Sequence, residues 1–210
     1  MTPARPHRSS EPAVARPAWA AVEVVDDPDV GTATEAAATL LIALGVDVSS
    51  ESLARTPERM VLALAEMLRP RPFEMTTFPN DGGYDELIVA RNIPVRSLCE
   101  HHVLPFVGIA HVGYLPGERI LGLSKLARVV EHFARRPQVQ ERLTTQVSTW
   151  LRDQLGAVGV GVVIEAEHLC MTLRGVQAPG TSTVTSSLLG VLRDDHRTRA
   201  EFLALTRPAG

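Results

Sequence analysis

Cysteine and histidine fall together twice in this chain, as Cys99-Glu100-His101-His102 and again as His168-Leu169-Cys170. Thiolate and imidazole are the donors zinc prefers, and a C-x-x-H spacing lets one turn deliver both to one ion. Cys170 supplies a third donor from a distant strand end. The sequence has 2 cysteines in all, so a closed four-cysteine site is excluded. A set of Cys99, His102 and Cys170 leaves one coordination position open, as a catalytic zinc requires. Water there is acidified toward neutrality and becomes a nucleophile. Two cysteines alone are equally small buried hydrophobes or one disulfide; the histidines beside both favour the metal. His101 and His168 are left over. A histidine near such a water moves protons at neutral pH, and either can instead be a fourth ligand or a partner of one.

A second constellation is Gly122-Leu123-Ser124-Lys125-Leu126-Ala127-Arg128. It lies where strand gives way to helix, so free helix amides together with Lys125 and Arg128 form a phosphate cradle. Lys and Arg at that spacing are otherwise a solvated face. Lys125 is the only lysine against 20 arginines among the 21 basic residues. Arginine-rich codon usage accounts for the arginines but not for the lysine that remains. A compact ammonium on a flexible stem does what a planar guanidinium does not. A third constellation is Arg135-Arg136-Pro137-Gln138-Val139-Gln140-Glu141-Arg142-Leu143. Glu141 can accept from an N–H and an exocyclic amine of a nucleobase together; it is also what the positive end of any helix attracts.

The elements that must hold these groups alternate in blocks. Residues 1–30, rich in Pro, Ala and Arg and closed by Asp26, Asp27 and Asp29, lack hydrophobic periodicity and read as a disordered tail. Residues 31–75 read as a helical segment: EAAATLLIAL from Glu35 to Leu44, stopped at Gly45, then a helix capped by Thr56 with Pro57 in first position, ended by Pro70 and Pro72. Strands follow at 86–93 and 103–114, helices at 123–136 and 139–155, strands at 158–166 and 181–192, and a closing helix at 195–206. Strand groups on both sides of a helix pair predict an α+β fold with an antiparallel sheet.

Composition narrows the function. A net charge of −3 gives no basic field for nucleic acid. No run of about 18 apolar residues predicts a membrane span, and the arginines of the first residues precede no apolar signal core. Few cysteines argue against a disulfide-stapled secreted scaffold. A cytoplasmic enzyme is the expectation.

Taken together, RTPERM, RNIPVRSLCEHHVLPFVG, GYLPGERILGLSKLARVVEHFARRPQVQERLT, HLCMTLRGV and the following TVTSSLLGV resemble GTP cyclohydrolase I, in that family's order and over roughly residues 35–206. The resemblance implies the T-fold over 76–210 and a homodecamer of two face-to-face pentamers with sites at subunit boundaries. It implies Zn(2+) on Cys99, His102 and Cys170, and proton transfer by His101 and His168. Glu141, with Gln140 beside it, would anchor guanine. Ser124, Lys125, Arg128 and Arg174 would hold the triphosphate, with Arg59 reaching in from a neighbouring subunit. Some members carry lysines where Leu62 and Ser182 stand here. The implied reaction is hydrolysis of GTP at C8, loss of formate and rearrangement to 7,8-dihydroneopterin triphosphate, a first step toward tetrahydrofolate or another pterin. A paralogue serving a specialised deazapurine or pterin pathway, or a T-fold protein that binds a purine or pterin without turnover, fits the same motifs.

Overall fold

The computed structural model describes residues 27–207, so the expected tail lies outside the described residues up to position 26. Helix α1 (Val30–Ala43) starts ahead of Glu35 because Asp29 caps it, accepting from Thr32 N at 2.9 Å and Thr32 Oγ1 at 2.7 Å. Helix α2 (Thr56–Leu68) has Pro57 in its first turn as expected, but Thr56 is already helical and Arg55 holds the cap position without a side-chain cap bond. Arg55 instead binds Glu58 through Nε and Nη2 at 3.1 and 3.0 Å. That pair places a carboxylate in the first turn, where the helix dipole favours it.

The order continues as β1 (Thr77–Pro79), β2 (Ile88–Cys99), β3 (Pro105–Leu115), β4 (Arg119–Leu121), α3 (Leu123–Ala134), β5 (Pro137–Gln138) and α4 (Gln140–Leu155). It closes with β6 (Gly159–His168), α5 (Leu169–Thr172), β7 (Ser182–Gly190), α6 (Val191–Asp194) and α7 (His196–Thr206). The main sheet runs β5-β2-β3-β6-β7, antiparallel except for the short β2–β5 pairing. A strand pair, a helix pair and a second strand pair form the T-fold arrangement expected of an α+β chain. β1 and β4 pair separately.

β2 outruns its expected end at residue 93 and delivers Cys99. Its sequence alternation breaks at a bulge between Ala90 and Ile93, where Asn92 has φ 55°. An extra residue on one strand switches which parity faces the core. Beyond the bulge Ile93, Val95, Ser97 and Cys99 are buried. On β3 the inward set is Phe106, Ala110, Val112 and Tyr114, and on β6 it is Val160, Val162, Ile164 and Ala166. These meet Leu126, Val129, Val130 and Phe133 of α3, and Leu143, Val147, Leu151 and Leu155 of α4. The opposite face is covered, toward the Leu115–Gly159 end of the β3–β6 pairing, by Phe202 of α7. A Cβ on Gly113 or Gly161 would lie 2.9 or 2.7 Å from that ring, so only glycine lets α7 dock. Among the described residues, no helix is long and apolar enough to cross a membrane.

Candidate metal centre and active site

Strand parity brings the chemistry to one end of the sheet. Cys99 ends β2 on the helix-facing side, and a tight turn follows: Cys99 O accepts from His102 N at 3.3 Å and from Val103 N at 2.8 Å. Val103 takes φ 54° to complete the reversal into β3. The turn returns His102 Nδ1 to 3.5 Å from Cys99 Sγ. Cys170 enters on α5, directly after β6, which lies two strands from β2 in the sheet. Donor atoms of Cys99, His102 and Cys170 all lie within 4.8 Å of one another.

This donor set fits a tetrahedral ion. Zinc bonds of about 2.3 Å to sulfur and about 2.0 Å to nitrogen put neighbouring donors about 3.5–3.8 Å apart. Burial pushes the Cys170 thiol up, and the hydrogen bond and charge of Cys99 push it further, with Arg174 opposing. Two sulfurs held this close repel as thiolates, and a dication removes that penalty.

His168 continues the inward parity of β6 by one more step. It lies opposite Phe106 in register, and the rings stack 4.6 Å apart at 12°. Its Nε2 is 2.8 Å from Gln140 Oε1. Burial holds His168 below the ordinary imidazole value, and the Glu141 carboxylate counters that. Gln140 is 1% exposed, and its amide nitrogen faces Ile164 O at 3.0 Å, Thr183 O at 2.9 Å and Thr185 Oγ1 at 3.1 Å. The structure therefore places Gln140 against His168 rather than on open surface. His101 stands at the outside of the turn, its side chain 64% exposed, with Nδ1 3.8 Å from Cys99 Sγ.

Two neighbours stiffen the site. Glu100 and Arg142 form a two-pronged pair, Nη1 to Oε2 at 2.5 Å and Nη2 to Oε1 at 3.0 Å. This ties the ligand turn to the first turn of α4, which carries Gln140 and Glu141. The hydrogen bond with Arg142, more than its charge, holds the Glu100 carboxyl below its usual range.

The phosphate-side candidates sit differently. Ser124, Lys125 and Arg128 occupy the first two turns of α3, and Arg59 is exposed on α2. Arg174 is exposed beside Cys170, near enough to lower its thiol. Between these elements a groove runs from Met67 and Ala127 over Pro94 and Val107 to Leu169, the residue between His168 and Cys170.

A family model described as GTP cyclohydrolase I matches residues 33–207. The chain is 50% identical over 185 residues to "GTP cyclohydrolase 1" of Synechococcus sp. (strain JA-3-3Ab), covering 86% of this chain and 80% of that protein. It is 50% identical over 173 residues to "GTP cyclohydrolase 1" of Aquifex aeolicus (strain VF5), 82% of this chain and 94% of that one. The chain belongs to the GTP cyclohydrolase I family. Among solved structures, an archaeosine synthase QueF-Like in the apo form aligns with a TM-score of 0.40 at 15% identity, over 50% of this chain and 93% of its own.

Within this cyclohydrolase chain, sequence reasoning missed Phe106, Arg142, Thr144 and Thr185 as parts of the site. Arg142 carried a faint signal, a cation directly after Glu141 that finds its partner in the charged residue inside the Cys-Glu-His-His turn. Thr185 carried another, as part of a polar row at period two along β7.

Proposed function

We propose that this enzyme hydrolyses GTP at C8, releases that carbon as formate and rearranges the product to 7,8-dihydroneopterin triphosphate. The convergence of Cys99, His102 and Cys170 beside His168, in a GTP cyclohydrolase I family member, carries the proposal. The three donors would hold Zn(2+), whose Lewis acidity lowers the pKa of water at its open position.

The chain's own groups do the rest. Glu141 accepts from the guanine N–H and exocyclic amine, fixing the purine edge. His168 exchanges a proton at Nδ1, because Nε2 is turned to Gln140. His101, at the rim, exchanges the second proton with solvent. Ser124, Lys125, Arg128 and Arg174 neutralise the triphosphate, helped by Arg59 of another copy. Leu62 and Ser182 supply no charge there, and Ser182 Oγ is engaged with Glu165 Oε1 at 3.0 Å.

Self-association as a homodecamer of two pentamers is part of the proposal. β7 is an edge strand with Val184 61% exposed, and Leu173 and Val176 are exposed in the segment that leads into it; such an edge invites pairing with another copy. We assign residues 31–75 to a helical lead-in and 76–210 to the catalytic unit, with the cytoplasm as site of action. Purified protein incubated with GTP should release formate and gain pterin absorbance in proportion to its zinc content, while light scattering reports the assembly. GTP binding without formate would leave a binding protein and end the proposal.

A further inference from the structure

Thr183, Thr185 and Ser187 alternate along β7 with the exposed Val184 and Ser186. On α4 the buried stripe includes three polar residues four apart, Gln140, Thr144 and Ser148. Four residues of helix advance about 6.0 Å, and two residues of strand about 6.7 Å. The two polar rows are nearly commensurate, and they meet rung by rung. Thr144 Oγ1 lies 2.7 Å from Thr185 Oγ1, and Ser148 Oγ lies 2.7 Å from Ser187 Oγ.

Hydrogen counting sets the direction of the first rung. Thr144 donates its hydroxyl hydrogen to the Gln140 carbonyl at 2.7 Å. A hydroxyl has one hydrogen to give, so Thr185 must donate to Thr144. Thr185 Oγ1 in turn accepts from Gln140 Nε2 at 3.1 Å. The ring Gln140 amide, Thr185, Thr144, Gln140 carbonyl is closed, and each bond polarises the next. With its nitrogen facing three acceptors the carboxamide does not turn over, so Oε1 is committed to His168. An amide oxygen only accepts, so Nε2 of His168 carries the hydrogen and Nδ1 is left free.

We infer that Thr185 is a positioning residue for proton transfer: acting through Gln140, it fixes the ring rotation and the tautomer of His168. The inference rests on the proton-transfer role given to His168 above. The neighbouring Ser148–Ser187 rung has the same packing duty and no link to Gln140, so it serves as the control.

The test compares formate release from GTP, zinc content and crystal structures of Thr185→Val, Thr185→Ser, Ser187→Ala, Gln140→Leu and the Thr185→Val/Gln140→Leu double variant. Thr185→Val should lower kcat about tenfold with KM and zinc unchanged, and Gln140→Leu about a hundredfold, the scale of a misplaced reacting group. Thr185→Ser should restore kcat, Ser187→Ala should leave it alone, and the double variant should be no slower than Gln140→Leu. In Thr185→Val crystals the His168–Gln140 contact should be lost or rotated. An unchanged kcat in Thr185→Val, an equal loss in Ser187→Ala, or multiplicative losses in the double variant would overturn the inference. If the unaltered protein releases no formate, the proposed function falls, and the crystal contact alone decides whether Thr185 orients His168.

Discussion

The two halves of the site are built on opposite plans. At the sheet end, all but the exposed His101 have their orientation set from inside the chain: His102 by a closed turn, His168 by Phe106 and Gln140, the turn itself by Arg142. At the proposed phosphate end, Lys125 and Arg128 share α3 while Arg59 stands on α2 and Arg174 follows α5; all but the half-buried Lys125 are exposed, and Arg128 does no more than approach Glu131 at 3.9 Å. The difference follows from the physics of the two tasks. Proton transfer and metal coordination depend on direction and fail with a displacement of about 1 Å. Charge neutralisation falls off gradually with distance, so flexible cations suffice until substrate arrives.

This contrast ranks the consequences of mutation. The largest effect is expected at a metal donor. Cys170→Ser should lose both metal and turnover, measured as zinc per chain beside formate release; full zinc stoichiometry in that variant would falsify the ligand assignment. His101→Ala should keep its zinc but lose about 10²–10⁴-fold in ring opening, the usual contribution of a positioned acid or base. If zinc left with His101, the rim histidine would be a ligand and the division of roles would collapse.

Weaker but more informative is the tie between the two constellations. Arg142→Met removes the two-pronged pair from Glu100 and frees the Cys99–His102 turn from α4. Groups that orient ligands are worth about 10–100-fold in metal affinity. The expected result is zinc transfer to a chelator about tenfold faster than in the unaltered protein, with far-ultraviolet circular dichroism unchanged. An unchanged transfer rate would mean that the turn's backbone bonds alone hold His102 in place.

What was legible in the sequence follows the same line. Cys99, His102 and Cys170 stood out because thiols and imidazoles are scarce and their chemistry is narrow. The helix pair between strand pairs was visible from periodicity. The reach of β2 to Cys99 was hidden by the bulge at Asn92, which switches face without altering composition. The caps are hidden for a related reason: Asp29 closes a polar stretch that has no periodicity, and Arg55 replaces a side-chain cap with a link to Glu58. Gln140 was the hardest case. Its neighbour Glu141 suggested a nucleobase contact, while its true surroundings are carbonyls of β6 and β7 that only a folded register brings together.

Lys125→Arg sharpens the comparison at the permissive end. Charge is kept, so the loss should be modest, about threefold in KM for GTP, a shift of well under a full tenfold step, with kcat nearly unchanged. A kcat loss as large as that of His101→Ala would show that Lys125 is held to the same directional standard as the sheet end.

The smallest effect concerns stability rather than turnover. His132 on α3 is packed among Phe73 and Phe133, its Nδ1 without a hydrogen-bond partner among the described residues. Burial, with a smaller push from Arg136, holds its imidazole below the ordinary value of 6.5. The unfolded chain therefore takes up a proton at this position before the folded one does. Stability from this group is complete above about pH 6.5 and drains as pH falls toward the folded value. His111 and His168 are depressed by burial in the same direction, so the whole chain should lose stability on acidification. His132→Phe keeps an apolar ring in the cluster and removes one of these titrations. Urea midpoints measured with chelator throughout, at pH 7.5 and 5.5, should fall less in His132→Phe than in the unaltered protein. An equal fall would mean that the cluster opens to water before the histidine charges, and that α3 is less firmly seated than its buried face implies.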